Sequence, residues 1–345
     1  MTERLRIVVT THVEDRHLAA MAAVDPRIEV AYEADLIPPP RYASDHQLPP
    51  IAGDAARDRW VALLESADVL YDFGPAALAD RLPGWRRLRW VQTTSAGVGE
   101  FARRHGLLAR EDVVITTASG VHARPLAEFV LMAVIMFGKD LLRVQADQRR
   151  HHWERYAGEE VAGLIAGVVG AGRIGSEVAR LLRVLDAHVI GVVRAVDGRT
   201  PADVHADELV AVANLDAVLP RLDVLVLATP HTPDTAGLVD ARRIGLLPPR
   251  AVVVNIARGD VVDEAALADA LASGRLRGAA LDVFQTEPLP PESPFWDLPN
   301  VLVSPHSAST VAAENDRIVE LFCENLRHYL AGEPLRNVLR PELLY

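Results

Sequence analysis

The sequence predicts an α/β protein made of two doubly wound parallel sheets, each flanked by helices. Three observations lead there. Short apolar runs alternate with helical patterns along all 345 residues, which is how parallel strands covered on both faces read in sequence. The runs are too many for one typical open sheet. At roughly 100–200 residues per domain, the length itself suggests two domains.

In chain order, strands are expected at 5–10, 69–71, 89–93 and 113–116, then at 164–169, 188–193, 223–228, 251–255, 279–283 and 301–304. Ala and Leu at helical spacing mark 176–185, 206–219 and 264–273 as helices. Asp263 is placed to cap the last of these, and Gly274 to close it in a left-handed conformation. A long apolar helix at 125–144, with Pro125 near its first turn, marks the seam between domains. The polar stretch QRRHHWERYAGEE follows it, and Trp153 is expected to pack at that seam. A second long helix, 311–330, precedes a short tail. The first domain is therefore expected to be discontinuous, 1–121 plus 308–345, with 122–307 inserted as the second. The segment 33–53, with its PPP and PP runs, reads as an irregular excursion rather than a linker.

Composition narrows the function. With 36 basic and 47 acidic side chains the net charge is −11, which offers no electrostatic footprint for nucleic acid. The longest apolar candidate, 129–138, is about half the ~18 residues of a membrane span, so no membrane partner is expected. The opening MTERLRIVVTTH lacks a small-residue cleavage site and reads as a first strand, not a signal peptide. The single cysteine, Cys323, allows no internal disulfide or thiolate cluster and fits a reducing cytoplasm.

The sharpest local motif is Gly170-Ala171-Gly172-Arg173-Ile174-Gly175, which follows the apolar run LIAGVV and opens the helical SEVARLL. Strand before and helix after is the context a dinucleotide-binding loop requires. Gly170 serves the tight turn, Gly172 lets the backbone approach a pyrophosphate, and Gly175 lets the helix pack on the strand. The plainer alternative is an ordinary glycine-rich turn. An NAD enzyme places a carboxylate at the end of the next strand, for the ribose hydroxyls. Here that strand ends at Val193 and is followed by Arg194. A guanidinium suits a 2′-phosphate, so NADP(H) is the expected cofactor and NAD(H) remains open. Asp197, the rival carboxylate, lies in an Asp-Gly turn beyond the strand.

Three later strands each end in reactive residues: VVVNIARGDVVDEAAL at Arg258, ALDVFQTEPLP at Asp282 and Glu287, and VLVSPHSAS at His306. Ligands of open α/β sheets collect at the carboxyl ends of strands, where all of these fall. In that order, behind a dinucleotide loop, the chain resembles the D-isomer-specific 2-hydroxyacid dehydrogenases. The resemblance runs from about residue 92 to 334 and rests on QTTSAGV, GVHARPLAEFVL, GAGRIG, ATPHTPDTAGLVD, NIARGDVVDEAAL, ALDVFQTEPLP, SPFWDLPNVLVSPHSA and ENLRHYLAGEPL. Arg194 in place of an acidic strand end makes the NADPH-preferring glyoxylate and hydroxypyruvate reductases the nearest branch. The resemblance implies two Rossmann-like domains with a cleft between them, and a homodimer joined through the cofactor domains. It also implies reversible hydride transfer between a nicotinamide and a small 2-keto or 2-hydroxy acid, with no metal.

Carried over by position, His306 would exchange a proton with the carbonyl oxygen, as an imidazole near neutrality can. Glu287 would hydrogen-bond His306 and favour the imidazolium. Arg258 would hold the substrate carboxylate and polarise the keto oxygen, with the backbone of Ala96 and Gly97 taking further carboxylate contacts. For the cofactor, Arg173 and Ile174 would meet the pyrophosphate, and Thr229, Pro230 and Thr235 would lie along the adenosine side. Ile256 and Ala257 would pass the nicotinamide, Asp282 would bond its carboxamide, and Ser307 and Ala308 would line the same pocket. The segment Gln285-Thr286-Glu287 departs from the family's usual acidic residue before the glutamate. The short tail RPELLY is expected to carry no regulatory domain, which sets the chain apart from phosphoglycerate dehydrogenases with added serine-sensing domains. The alternative on the same fold is a dinucleotide-sensing interaction protein, like the family's corepressors.

Other residues read as structural. His151 and His152 are adjacent, so their side chains point apart, and no third ligand is nearby. Cys323 sits at helical spacing with Val319, Leu326 and Leu330 and reads as a buried small hydrophobe. Trp296 reads as either a substrate or partner contact or part of the core, and Ser95 has no adjacent base.

Overall fold

The computed structural model describes residues 4–344. The chain forms two compact units, one of residues up to His122 together with those from Thr310 onward, the other Ala123–Ser309. In the first unit the elements are β1 (Leu5–Val9), α1 (Asp15–Ala22), β2 (Ile28–Ala31), α2 (Asp54–Glu65), β3 (Val69–Tyr71), β4 (Trp90–Gln92), α3 (Gly99–Arg104) and β5 (Val114–Thr116). All are parallel, in the order β2-β1-β3-β4-β5. Both faces are covered, which is why the strands read as continuous apolar runs. Ile7, Val9, Val69, Tyr71 and Trp90 share one face and one core cluster. Val8, Leu70 and Val91 point the other way, among Trp60, Leu63 and Leu64 of α2.

The second unit begins with α4 (Ala123–Gly138) and α5 (Leu141–Arg149). It continues with β6 (Ile165–Val169), α6 (Arg173–Val184), β7 (His188–Val193), β8 (Glu208–Ala211), α7 (Leu215–Val218), β9 (Val224–Leu227), α8 (Ala241–Leu246), β10 (Val252–Asn255), α9 (Glu264–Ala272), β11 (Gly278–Leu281) and β12 (Val301–Val303). The strand order is β12-β11-β10-β9-β6-β7-β8, again all parallel. The order reverses between β6 and β9, and a doubly wound sheet opens its ligand crevice outside the carboxyl ends at such a point. Asp263 caps α9 as expected, accepting from the Ala266 amide at 3.0 Å, and Gly274 follows in the left-handed region at φ +69°. Leu267 and Leu271 of α9 are almost fully buried, each contributing on the order of 2 kcal/mol. After Val303 the chain returns to the first unit as α10 (Glu314–Ala331), whose Ile318, Phe322 and Leu326 cover the β1–β3–β4 face. Cys323 is buried with them.

The structure corrects three expectations and narrows a fourth. Residues 206–219 are not one helix but β8, a 3-10 turn and the short α7. The apolar helix expected at 125–144 breaks after Gly138, where Lys139 and Asp140 intervene and Asp140 takes φ +48°. Trp153 does not pack at a seam: it is 94% exposed. Trp296 is half exposed, its indole N–H donating to the Pro290 carbonyl at 2.9 Å, so it is not core. Among the described residues no helix is long and apolar enough to cross a membrane, and no three His, Cys, Asp or Glu side chains are grouped to hold a metal ion.

Candidate active site

In the second unit the loop from β6 to α6 is built as a phosphate-binding turn must be. Gly170 has φ +96°, and a Cβ there would lie 2.6 Å from the Ala228 carbonyl oxygen. Gly175 backs onto the Gly170 carbonyl, 2.3 Å from where its own Cβ would be. Nothing lies within 4 Å of the Cβ position of Gly172, the N-cap of α6. A ligand can therefore approach the backbone where the helix begins at Arg173 and Ile174, and where its first turn lacks intrahelical acceptors. Arg194 lies just past the end of β7 and is exposed, while Asp197 sits further out in a turn at φ +44°. The Thr229 hydroxyl, just after β9, is buried without a hydrogen-bond partner. Thr235 is used differently: its hydroxyl donates to the Pro230 carbonyl at 2.7 Å and closes the 230–235 turn. An open glycine cradle, a helix start and an orphaned hydroxyl at one switch point fit a dinucleotide.

Three neighbouring strand ends in the same sheet supply the reactive groups. Arg258 follows β10, with buried Ile256 and Ala257 before it. Asn255 braces this turn, accepting from the Ala257 amide and donating to the Arg258 carbonyl, both at 3.0 Å. Burial holds the Arg258 guanidinium below its ordinary value against the opposing pull of Glu287 and Asp282, yet a guanidinium stays charged at any working pH.

Asp282, after β11, is 2% exposed. Its Oδ1 accepts from the Ser304 hydroxyl at 2.5 Å and from the Ser307 and Ala308 amides at 2.9 and 3.0 Å. The His306 amide donates to the Asp282 carbonyl at 2.9 Å. Asp282 thus organises the whole loop that presents His306, which sits at φ +53° with its ring exposed. Nδ1 of that ring lies 2.7 Å from Glu287 Oε2, so a proton on Nδ1 is held by the carboxylate and Nε2 is the ring nitrogen left to face a substrate. Glu287 Oε1 accepts from the Phe284 amide at 3.0 Å. Burial works against ionisation of Glu287, but the bonds from His306 and Phe284 outweigh it and keep the carboxyl below its ordinary range.

Ala96 and Gly97 belong to the first unit, in an exposed loop at the carboxyl end of β4. The Thr93 hydroxyl braces this loop by donating to the Ser95 carbonyl at 2.7 Å, and Thr94 donates to Asp72 at 2.7 Å. The bracing by Asn255 and the loop-organising part of Asp282 were not legible in the motifs, because both depend on backbone partners brought close only by the fold.

Residues 131–308 match the family described as D-isomer specific 2-hydroxyacid dehydrogenase, NAD binding domain. The chain belongs to this family. Among curated relatives of this family member, the D-3-phosphoglycerate dehydrogenase of Mycobacterium tuberculosis (strain ATCC 25618 / H37Rv) is 34% identical over 284 residues, covering 80% of this chain and 52% of that protein. The chain thus spans about half the length of the curated relatives it matches in this group. Glyoxylate/hydroxypyruvate reductase B of Pectobacterium carotovorum is 30% identical over 287 residues, covering 81% of this chain and 88% of the relative. Among solved structures, the NADPH-dependent glyoxylate/hydroxypyruvate reductase of Sinorhizobium meliloti, in complex with NADP and sulfate, superposes with a TM-score of 0.77. It is 28% identical and covers 99% of this chain and 100% of its own.

Proposed function

We propose that this chain reduces a short 2-keto acid, of the glyoxylate or hydroxypyruvate type, to the D-2-hydroxy acid with NADPH as preferred cofactor. The observation that carries the reading is the 2.7 Å contact of His306 Nδ1 with Glu287, on the strand ends next to Arg258 and behind the glycine cradle. Arg258 binds the substrate carboxylate and polarises the keto group with a cation that does not titrate. His306 gives the proton from Nε2 to the carbonyl oxygen, and Glu287 stabilises the imidazolium that must be loaded beforehand. Ala96 and Gly97 take the remaining carboxylate contacts through backbone amides. When bound, the nicotinamide supplies the hydride. Arg173 and Ile174 hold its pyrophosphate, Thr229, Pro230 and Thr235 the adenosine side, and Ile256, Ala257, Asp282, Ser307 and Ala308 the nicotinamide side. Arg194 takes the 2′-phosphate.

The relatives' names divide between phosphorylated and unphosphorylated substrates. Charge in the first unit supports the unphosphorylated class. Beside the Ala96–Gly97 loop stands Asp72, Glu314 lies close enough to act with it on His46, and Arg41 is tied to Asp45. Carboxylates there repel a phosphate. A homodimer through the second unit is part of the same reading. Met132, Ile135, Leu141, Val144, Trp153 and Tyr156 expose apolar surface on or next to α4 and α5, more than isolated surface residues would. Sedimentation showing a monomer at micromolar concentration would remove the dimer.

The test of activity is NADPH oxidation, followed by absorbance, with glyoxylate, hydroxypyruvate, pyruvate and phosphohydroxypyruvate. Turnover with one of the first three and a far lower kcat/KM for the phosphorylated acid are expected. A preference for phosphohydroxypyruvate would overturn the substrate reading, and silence with all four would overturn the reductase.

A further inference from the structure

The acid pair is held by more than its own hydrogen bond. Glu287 sits on the turn Phe284–Gln285–Thr286–Glu287, and that turn is stitched to the segment following Arg258. The backbone amide of Gln285 donates to Glu264 Oε1 at 2.6 Å. The side-chain amide of the same Gln285 donates to the Val262 carbonyl at 3.0 Å. Below these two bonds the backbones touch: a Cβ on Gly259 would lie 2.0 Å from the Phe284 carbonyl carbon and 2.1 Å from the Gln285 nitrogen. Residues 258–264 and 284–287 are therefore fastened to each other, with Arg258 at one end and Glu287 at the other.

Glu264 costs the fold something. It is half buried, in the first turn of α9, and feels the like charges of Asp260 and Glu287. A first helical turn favours an acidic side chain in general, but burial and these like charges work against this one. A carboxylate kept among like charges, aimed at one backbone amide next to Glu287, points to a role in placing that turn.

We propose that Glu264 is a positioning residue for the Glu287–His306 pair: through the Gln285 amide it fixes the Phe284–Glu287 turn, with the Gln285 side chain as a second stitch. The proposal rests on the reductase reading for its kinetic consequence, but not for its geometry. Losing the acceptor lets the turn drift, and Glu287 no longer meets Nδ1 at hydrogen-bond distance. Reduction needs a proton on His306, so the pH profile of the rate should change in Glu264→Ala as it does when Glu287 itself is replaced.

The experiment uses the full chain with Glu264→Ala, Glu264→Gln, Glu287→Gln and the double variant Glu264→Ala/Glu287→Gln. A misplacement of about 1 Å can cost on the order of 10²-fold in rate, and a smaller drift costs less, so Glu264→Ala should lower kcat about tenfold with the affinity for NADPH unchanged. Its alkaline limb should shift the same way as that of Glu287→Gln, and the double variant should be no worse than Glu287→Gln alone. Glu264→Gln keeps an acceptor oxygen and should recover most of the loss. Additive effects, or a lower melting temperature with an unmoved limb, would overturn the proposal. If the wild-type chain turns over no 2-keto acid, the reductase reading fails separately. The positioning claim is then decided by NMR titration of the His306 ring, assigned by its loss in His306→Ala. A midpoint moved in the same direction by Glu264→Ala and Glu287→Gln supports it, and a midpoint unmoved by Glu264→Ala overturns it.

Discussion

At the scale of single residues, the division of labour between Arg258 and His306 predicts different kinetic signatures. In the proposed reaction Arg258 would bind a carboxylate present in ground and transition states alike, and would also polarise a keto oxygen whose charge grows only in the transition state. Arg258→Ala should therefore raise KM and lower kcat together. A tenfold or greater rise in KM, measured by initial rates with NADPH saturating, is the expected result. An unchanged KM would place the substrate carboxylate elsewhere. That Glu287 and His306 would meet, on strand ends neighbouring that of Arg258, was legible in the sequence, because each of the three follows a strand inside a recognisable segment. How they are braced was not. Asn255 and Glu264 lie in the same motifs, yet their partners are the backbone of a turn or of a segment some twenty residues away, and no spacing rule encodes such a contact.

At the scale of elements, strands buried on both faces announced themselves as apolar runs. The two that escaped, β2 and β8, are the outer strands of their sheets, half-buried throughout, with Glu29 and Glu208 inside them. An edge strand carries charge to discourage further pairing, and this erases the apolar signal. The expected helix over 206–219 failed for that reason. The break between α4 and α5 is the opposite case, since apolar periodicity runs past it while Asp140 alone turns the backbone. The irregular segment 33–53 is anchored at Asp45, which is 6% exposed. Its carboxylate is held well below the ordinary range, first by the Arg41 guanidinium and then, against the cost of burial, by the Arg41 and Gln47 amides. A group whose folded value is depressed adds stability above its unfolded value, and that stability is lost as pH falls through the folded one. Hydrogen bonds to a charged group contribute about 1.5–3 kcal/mol each, so Asp45→Asn should loosen the segment at neutral pH. Limited proteolysis should cut variant chains within 33–53 several times faster than wild type, with the difference shrinking as both are acidified well below pH 4. Equal cleavage rates at pH 7 would show that Asp45 anchors nothing.

At the scale of the whole molecule, the chain holds two parallel sheets. The first unit carries Asp72 and the Ala96–Gly97 loop at one sheet end. The second carries the glycine cradle, Arg258 and the Glu287–His306 pair at the carboxyl ends of another. Both sheet orders reverse beside their first strand, between β1 and β3 and between β6 and β9, where a doubly wound sheet opens its crevice. The two-domain α/β architecture was legible because hydrophobic burial on both faces of a parallel sheet leaves a strong imprint. Trp153 was misread, since an exposed aromatic and one packed in a core look alike in a sequence. The proposed function turns above all on His306 as the proton donor of an NADPH-dependent reduction. The most direct test compares wild type with His306→Ala in hydroxypyruvate-driven NADPH oxidation, alongside NADPH binding by fluorescence. General acid catalysis contributes on the order of 10²–10⁴-fold, so kcat should fall by that factor while NADPH binds as before. Near-wild-type turnover in the variant would remove His306 from that role.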